Sequence, residues 1–336
     1  MNRRAFLSAA AACSAISASA QLARAQPSSR FADAARYSAD RNGASFLVVR
    51  HGIVLSEEYR QGTHETRWQL GEGTRPFAAL LAATLIEDRL LSLDEPVALT
   101  LGDWALHPVK STITVRALLG GVSGLAFGPR DERTLTVALA LEPVANPGEA
   151  FSSDAAAYVI FAEIARRKLE ASGRDADPAR YLTDRTLGPI GCAPIGWTRW
   201  PDGAPRLDDG VALSARSWAQ AGELIRREGV WRAQQLADDN ALREAMRGSF
   251  AEARAGFGLW LAVAGRQSRE SIGVDTDLWR AASPAPIDLA MAAGAGGQRL
   301  YLSPSAGIVI VRQTPSATTD GGWSDAQFLS LVWRGL

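Results

Sequence analysis

A chain of 336 residues, 47% of them hydrophobic, is long enough to bury a large core as one elaborate domain or two. Its 36 basic and 36 acidic residues balance, with no basic run, so there is no electrostatic case for nucleic acid or an anionic membrane surface as a partner. The three histidines, His51, His64 and His107, are scattered without ligand spacing, and neither a metal nor another cofactor is expected.

The chain opens like an export signal. Arg3-Arg4 begins a twin-arginine pattern, a small-residue apolar run follows, and Ala23-Arg24-Ala25 reads as a cleavage site. The run from Ala5 to Ala20 is too short and too weakly apolar to span a membrane comfortably. Cys13 as a lipid attachment site is the lesser reading, since no leucine sits three residues before it. The expectation is a signal over residues 1–25, a periplasmic or secreted mature chain over 26–336, and no membrane contact after cleavage. Losing Arg3, Arg4 and Arg24 leaves 33 basic residues against 36 acidic ones. Losing Cys13 leaves Cys192 without a disulfide partner.

Residues 44–60 predict a β-hairpin, two β-rich runs joined at His51-Gly52. A helix follows with Pro76 in its first turn and an apolar face of Phe77, Leu80, Leu81 and Leu85, ending at Asp88-Arg89. Residues 112–119 read as a short capped helix, 154–169 as a strong one, and Ser214 caps another that runs through Ile225. Residues 258–263, 299–302 and 307–312 read as strands, and 324–333 as a closing helix. Strands at both ends with helices between predict an α+β fold: an antiparallel sheet built from both chain ends, flanked by helices. The sheet core is placed at about residues 40–100 and 250–336, with an inserted, mainly helical region at about 101–249.

The segment Leu70-Gly71-Glu72-Gly73-Thr74-Arg75-Pro76-Phe77, opening the first long helix, resembles the start of the active-site helix in the serine β-lactamase and penicillin-binding-protein superfamily. The β-lactamase-related esterases are the nearest group. Further segments resemble the family's motifs in the same order. They are the hairpin Phe46–Gly52, Ile86–Pro96 for E-x-G-x-L-x-L-D-x-P, and Thr114–Leu125 for T-I-R-x-L-L-x-x-x-S-G-L. After these come Pro147–Phe151 for P-G-x-x-F, Gly210–Ala219 for G-L-x-x-T-A-R-D-x-A, and Gly294-Ala295-Gly296-Gly297 through Tyr301 for the esterase-type third motif. The resemblance implies a β-lactamase/transpeptidase-like fold and acyl transfer by a serine, with a lysine and a tyrosine managing its proton.

The three chemical positions are altered together. Against the S-x-x-K pattern, Glu72 stands in place of the serine and Arg75 in place of the lysine. Counting on from Pro147-Gly148, the family tyrosine falls at Ser153, with Asp154 and Ala155 behind it. A carboxylate would repel the oxyanion of acyl transfer, and a guanidinium holds its proton too tightly to act as a base. Three apart at a helix start, Glu72 and Arg75 are expected to pair and fill the old pocket, with Asp154 also in reach of Arg75. In the competing reading Glu72 has become a working nucleophile or base, although Arg75 would lower its basicity. A relocated serine, Ser123, Ser152 or Ser153, is a further route, but no lysine or histidine is visibly placed to activate one.

Gly294, Ala295, Gly296 and Gly297 would let an edge strand pass close to a ligand, with backbone N–H groups serving as an oxyanion hole. The plainer reading is a glycine-rich strand edge needed for packing. Trp68, Trp200, Trp260 and Trp323 are weighed as a pocket mouth against ordinary core or rim positions. The resulting expectation is an exported family member with its catalytic machinery impaired. No catalytic residue is intact, the cleft at Gly294–Gly297 and Asp154 is left for a small-molecule ligand, and a protein partner is the other use of that cleft. The alternative is an active hydrolase of esters, amides or lactams that uses Glu72 or a different nucleophile.

Overall fold

The computed structural model describes residues 29–128, 132–192, 195–263, 273–279, 285–315 and 322–336. The signal expected over residues 1–25, Cys13 included, lies outside the described residues. The predicted hairpin forms as β1 (Ser45–Arg50) and β2 (Ile53–Tyr59). Its two turn residues, His51 and Gly52, both have positive φ (50° and 79°), the geometry whose twist matches the flanking strands.

The remaining strands are β3 (Trp68–Gln69), β4 (Gly196–Trp197), β5 (Val211–Leu213), β6 (Val230–Trp231), β7 (Gln234–Gln235), β8 (Trp260–Leu261), β9 (Ala290–Gly294), β10 (Gln298–Ser303) and β11 (Ile308–Gln313). Helices are α1 (Ala32–Ala39), α2 (Pro76–Glu87), α3 (Val115–Leu119), α4 (Leu135–Ala140), α5 (Ala156–Ala171), α6 (Pro178–Leu182), α7 (Ala215–Arg226), α8 (Asp239–Ala245) and α9 (Asp325–Gly335). Among the described residues the main sheet runs β2-β1-β11-β10-β9-β8, with every neighbouring pair antiparallel. Both chain ends therefore build one sheet, as the sequence predicts.

Period-two alternation divides that sheet between two cores. Leu300, Leu302, Val309 and Val311 pack into the core shared with α2, α5 and α7, while Tyr301, Ile308 and Ile310 pack with Phe31, Phe328, Leu329 and Val332 on the opposite face. Strands β10 and β11 are buried along their whole length, which needs apolar residues on both faces and explains runs such as Ile308-Val309-Ile310-Val311.

Two expectations are corrected in detail. Helix α2 is buried on every side from Pro76 to Leu85, not on one face, because Ala78, Ala79, Ala82 and Ala83 let α5, α6 and α8 close around it. Each fully buried leucine there contributes about 1.5–3 kcal/mol over an exposed one. The strand expected over 258–263 shrinks to β8, since Gly258 has φ of +72° and seats against the backbone of Arg75, where a Cβ would lie 2.6 Å from its carbonyl carbon. Short strands accompany the helices in the middle of the chain: β4 and β5 join β3 in a small antiparallel sheet, and β6 pairs with β7.

Candidate active site

The segment expected to carry chemistry is pinned by β5. The Leu70 N–H donates to Val211 O (2.9 Å), and the Val211 N–H donates to Thr74 Oγ1 (3.0 Å). Residues Gly71–Thr74 form a single tight turn, with Gly71 at φ +55°, and deliver the chain to Arg75 at the head of α2. On the other side, the last residue of β9 lies against this turn backbone to backbone. A Cβ on Gly294 would fall 1.8 Å from Leu70 O and 3.0 Å from Gly73 N, so only glycine fits.

That close approach aims the next amide at Glu72. The Ala295 N–H donates to Glu72 Oε2 at 3.2 Å. Gly296 and Gly297 then turn with φ of 73° and 83°, and Arg312, wholly buried, holds the Gly297 carbonyl through Nη1 at 2.6 Å while its guanidinium stacks 3.9 Å from the Trp323 ring centre. The buried Asp325 carboxylate gathers Arg299 Nε (2.9 Å), Trp323 Nε1 (2.8 Å) and the Tyr301 hydroxyl. Burial alone would raise its pKa, but the charge of Arg299 and these hydrogen bonds outweigh it and hold the carboxyl below the usual range.

The expected Glu72–Arg75 ion pair does not form, nor does an Arg75–Asp154 pair. Glu72 is taken by the Ala295 amide. Asp154 accepts from the N–H groups of Phe127 (3.1 Å) and Ala156 (2.7 Å), so this carboxylate is held by backbone amides just ahead of α5. Arg75 instead points its guanidinium at the ring of Tyr158, 5.3 Å from the centroid, and its buried Nε has no hydrogen-bond partner. Among the described residues no carboxylate pairs with it.

Glu72, Arg75, Gly294, Ala295, Gly296 and Gly297 share one open cleft of about 440 Å³, walled by Trp260 and Trp323. Ser153 and Asp154 line a smaller cavity of about 20 Å³, room for roughly one water, which meets the cleft at Arg75 and Trp260. Ser153 Oγ packs where a side chain on Gly273 would be, 2.2 Å from that position. Of the four tryptophans, Trp260 and Trp323 border the cleft, Trp200 lines a separate groove beside Pro178, and Trp68 pairs with Leu213 in the small sheet. Neither the cleft nor the smaller cavity is lined by a described lysine or histidine. Burial pushes the Cys192 thiol up to about 12, and Sγ lies 3.2 Å from Ser217 O, a core position rather than a nucleophile. The described residues contain no cluster of His, Cys, Asp and Glu able to hold a metal ion.

Sequence reasoning missed Tyr158 and Asp208 as neighbours of Arg75. Tyr158 reads as one more apolar position of α5, while Asp208 precedes the Gly210 motif by two residues and carries no spacing signal. Burial raises the Tyr158 phenol, against the pull of Arg75, and leaves it a protonated hydroxyl. Asp208 is 2% exposed, its Oδ1 is unpartnered, and burial followed by the charge of Asp209 pushes it up to about 6. The folded state thus holds this proton more tightly than the unfolded chain, where aspartates titrate near about 3.9. Stability tied to Asp208 is complete below that value, falls as pH rises to about 6, and is level above. Asp208→Asn is expected to raise the unfolding free energy by about 1–3 kcal/mol at pH ~7.5, a gain that fades toward pH ~4. Denaturant melts across pH read this, and equal stability at pH ~7.5 would contradict it.

The family model described as Beta-lactamase matches residues 29–322. At the sequence level no curated protein matches the chain. Among solved structures, a penicillin-binding protein homologue from Caulobacter crescentus is 17% identical with a TM-score of 0.68, covering 93% of this chain and 99% of its own. A family VIII carboxylesterase is 15% identical with a TM-score of 0.69, covering 93% and 99%. A β-lactamase from Mycobacterium bovis is 20% identical with a TM-score of 0.63, covering 90% and 100%. At these identities the likeness is one of fold, and it runs through both chain ends and the helical region between them. A family model spanning nearly the whole described chain, over a sheet built from both ends, makes this chain a member of the beta-lactamase family with its serine-hydrolase-like fold.

Proposed function

We propose that this chain is an exported, non-acylating member of the family whose cleft binds a small ligand. The observation that carries the reading is the Glu72 carboxylate on the Ala295 amide. Acyl transfer needs backbone N–H groups aimed at the oxygen that becomes negative as the nucleophile attacks. On the family register Glu72 holds the nucleophile's place, and its own negative oxygen occupies an amide suited to that task. Two negative charges about 4 Å apart at an intermediate dielectric cost on the order of 4 kcal/mol, roughly a thousandfold in rate. Arg75 keeps its proton, and the buried Tyr158 phenol, raised by its surroundings, is no base. The cleft of about 440 Å³ remains open.

The chemical half of the proposal is tested by comparing the mature wild type with the Glu72→Ser/Arg75→Lys/Ser153→Tyr variant. Both are incubated with p-nitrophenyl esters, nitrocefin and a fluorophosphonate probe, and labelled sites are mapped by mass spectrometry. The wild type is expected to stay unlabelled and inactive while the triple variant accepts the probe. Turnover with labelling of any serine in the wild type would overturn the reading in favour of an active hydrolase.

Export rests on the Arg3-Arg4 start and the Ala23-Arg24-Ala25 site. Fractionation of cells expressing the full chain is expected to find the protein outside the cytoplasm, and Arg3→Lys/Arg4→Lys to hold it inside. A wild type confined to the cytoplasm would contradict this half alone.

A further inference from the structure

Opposite charges three residues apart on one helical turn ordinarily find each other. Glu72 and Arg75 do not, yet both line the same cleft. Glu72 engages one oxygen with the Ala295 N–H, and its Oε1 accepts no hydrogen bond among the described residues. Beyond its contact with the Tyr158 ring, Arg75 offers a planar fork of donors with no hydrogen-bond acceptor among the described residues, and its Nε is buried. The other charged groups around the cleft are already committed or lie at its rim. Arg299 is bound to Asp325, Asp154 to two backbone amides, and Asp275 is an exposed acid at the edge.

This charge layout selects among ligands. A simple carboxylate on Arg75 would face the negative charges of Glu72 and Asp275. A simple amine on Glu72 would face the guanidinium of Arg75, which no described carboxylate pairs with. A molecule carrying both groups satisfies both, with a bidentate carboxylate on Arg75 and an ammonium on Glu72. Trp260 and Trp323 give its apolar body a wall, and both rings are held in place, Trp260 by edge contacts with Phe151 and Trp279 and Trp323 by Asp325. We propose that the cleft recognises a small zwitterion, an amino-carboxylic acid, through Arg75 and Glu72. The inference rests on the ligand-binding reading of the same site.

Isothermal titration of the mature chain tests it. The probes are the flexible zwitterions β-alanine, 4-aminobutyrate and 5-aminopentanoate, and the rigid 4-(aminomethyl)benzoate. Propanoate and propylamine, butanoate and butylamine, pentanoate and pentylamine, and benzoate and benzylamine serve as their respective singly charged counterparts. At least one zwitterion is expected to bind about tenfold or more tightly than both of its counterparts. Glu72→Gln, whose amide oxygen can still accept from Ala295, and Arg75→Gln should each weaken that zwitterion by about tenfold or more, with thermal melts confirming that both fold. Absence of binding by all zwitterions at millimolar concentration, equal binding of a counterpart, or unchanged affinity in either folded variant overturns the proposal. Fluorophosphonate labelling of the same wild-type sample separates the two claims. A labelled wild type sinks the non-acylating reading, whereas an unlabelled one that binds no zwitterion sinks only this inference.

Discussion

The site depends on one steric constraint: two stretches of backbone far apart in sequence touch with no side chain between them. Gly294 ends β9 against Leu70 O and Gly73 N, and any other residue there would collide with the turn that carries Glu72. That contact sets the position of the Ala295 amide and therefore what Glu72 can do. It is held from both sides, by β5 on the turn and by Arg312 on the Gly297 carbonyl. Because β9 sits in register with β10 and β10 with β11, the placement is transmitted from the rigid middle of the sheet.

The frame was legible in the sequence wherever side-chain pattern reports burial. His51-Gly52 between two β-rich runs marked the hairpin, Pro76 marked the head of α2, and Ser214 marked the cap of α7, where its hydroxyl accepts from the Ser217 N–H. Strand β9 was not legible, because Ala290-Met291-Ala292-Ala293-Gly294 has no β-branched or aromatic residue and forms a strand only through its neighbours. The full burial of α2 was hidden for a similar reason: alanines read as neutral spacers until three helices are seen packed on them.

Which residues gather at the cleft was partly readable, and how they pair was not. The motif register brought Glu72, Arg75 and the Gly294–Gly297 turn together, as they are in space. Spacing along a helix suggested that Glu72 and Arg75 would pair. It could not show that a backbone amide from residue 295 outcompetes the arginine for the carboxylate. Nor could it show that Arg75 would lie against Tyr158 and that its charge would reach the buried Asp208. Charged residues inside apolar strands, Arg299 and Arg312, were the available signal that polar side chains organise this end of the sheet, and each serves to hold Trp323 or the glycine turn.

The central claim is that the Glu72 carboxylate itself occupies the Ala295 amide. The most direct measurement is the NMR resonance and hydrogen exchange of the Ala295 amide, in the wild type and in Glu72→Ala. The account predicts a downfield, exchange-protected amide in the wild type, and an upfield move with faster exchange once the carboxylate is gone. An amide with the same shift and exchange rate in both proteins would contradict it.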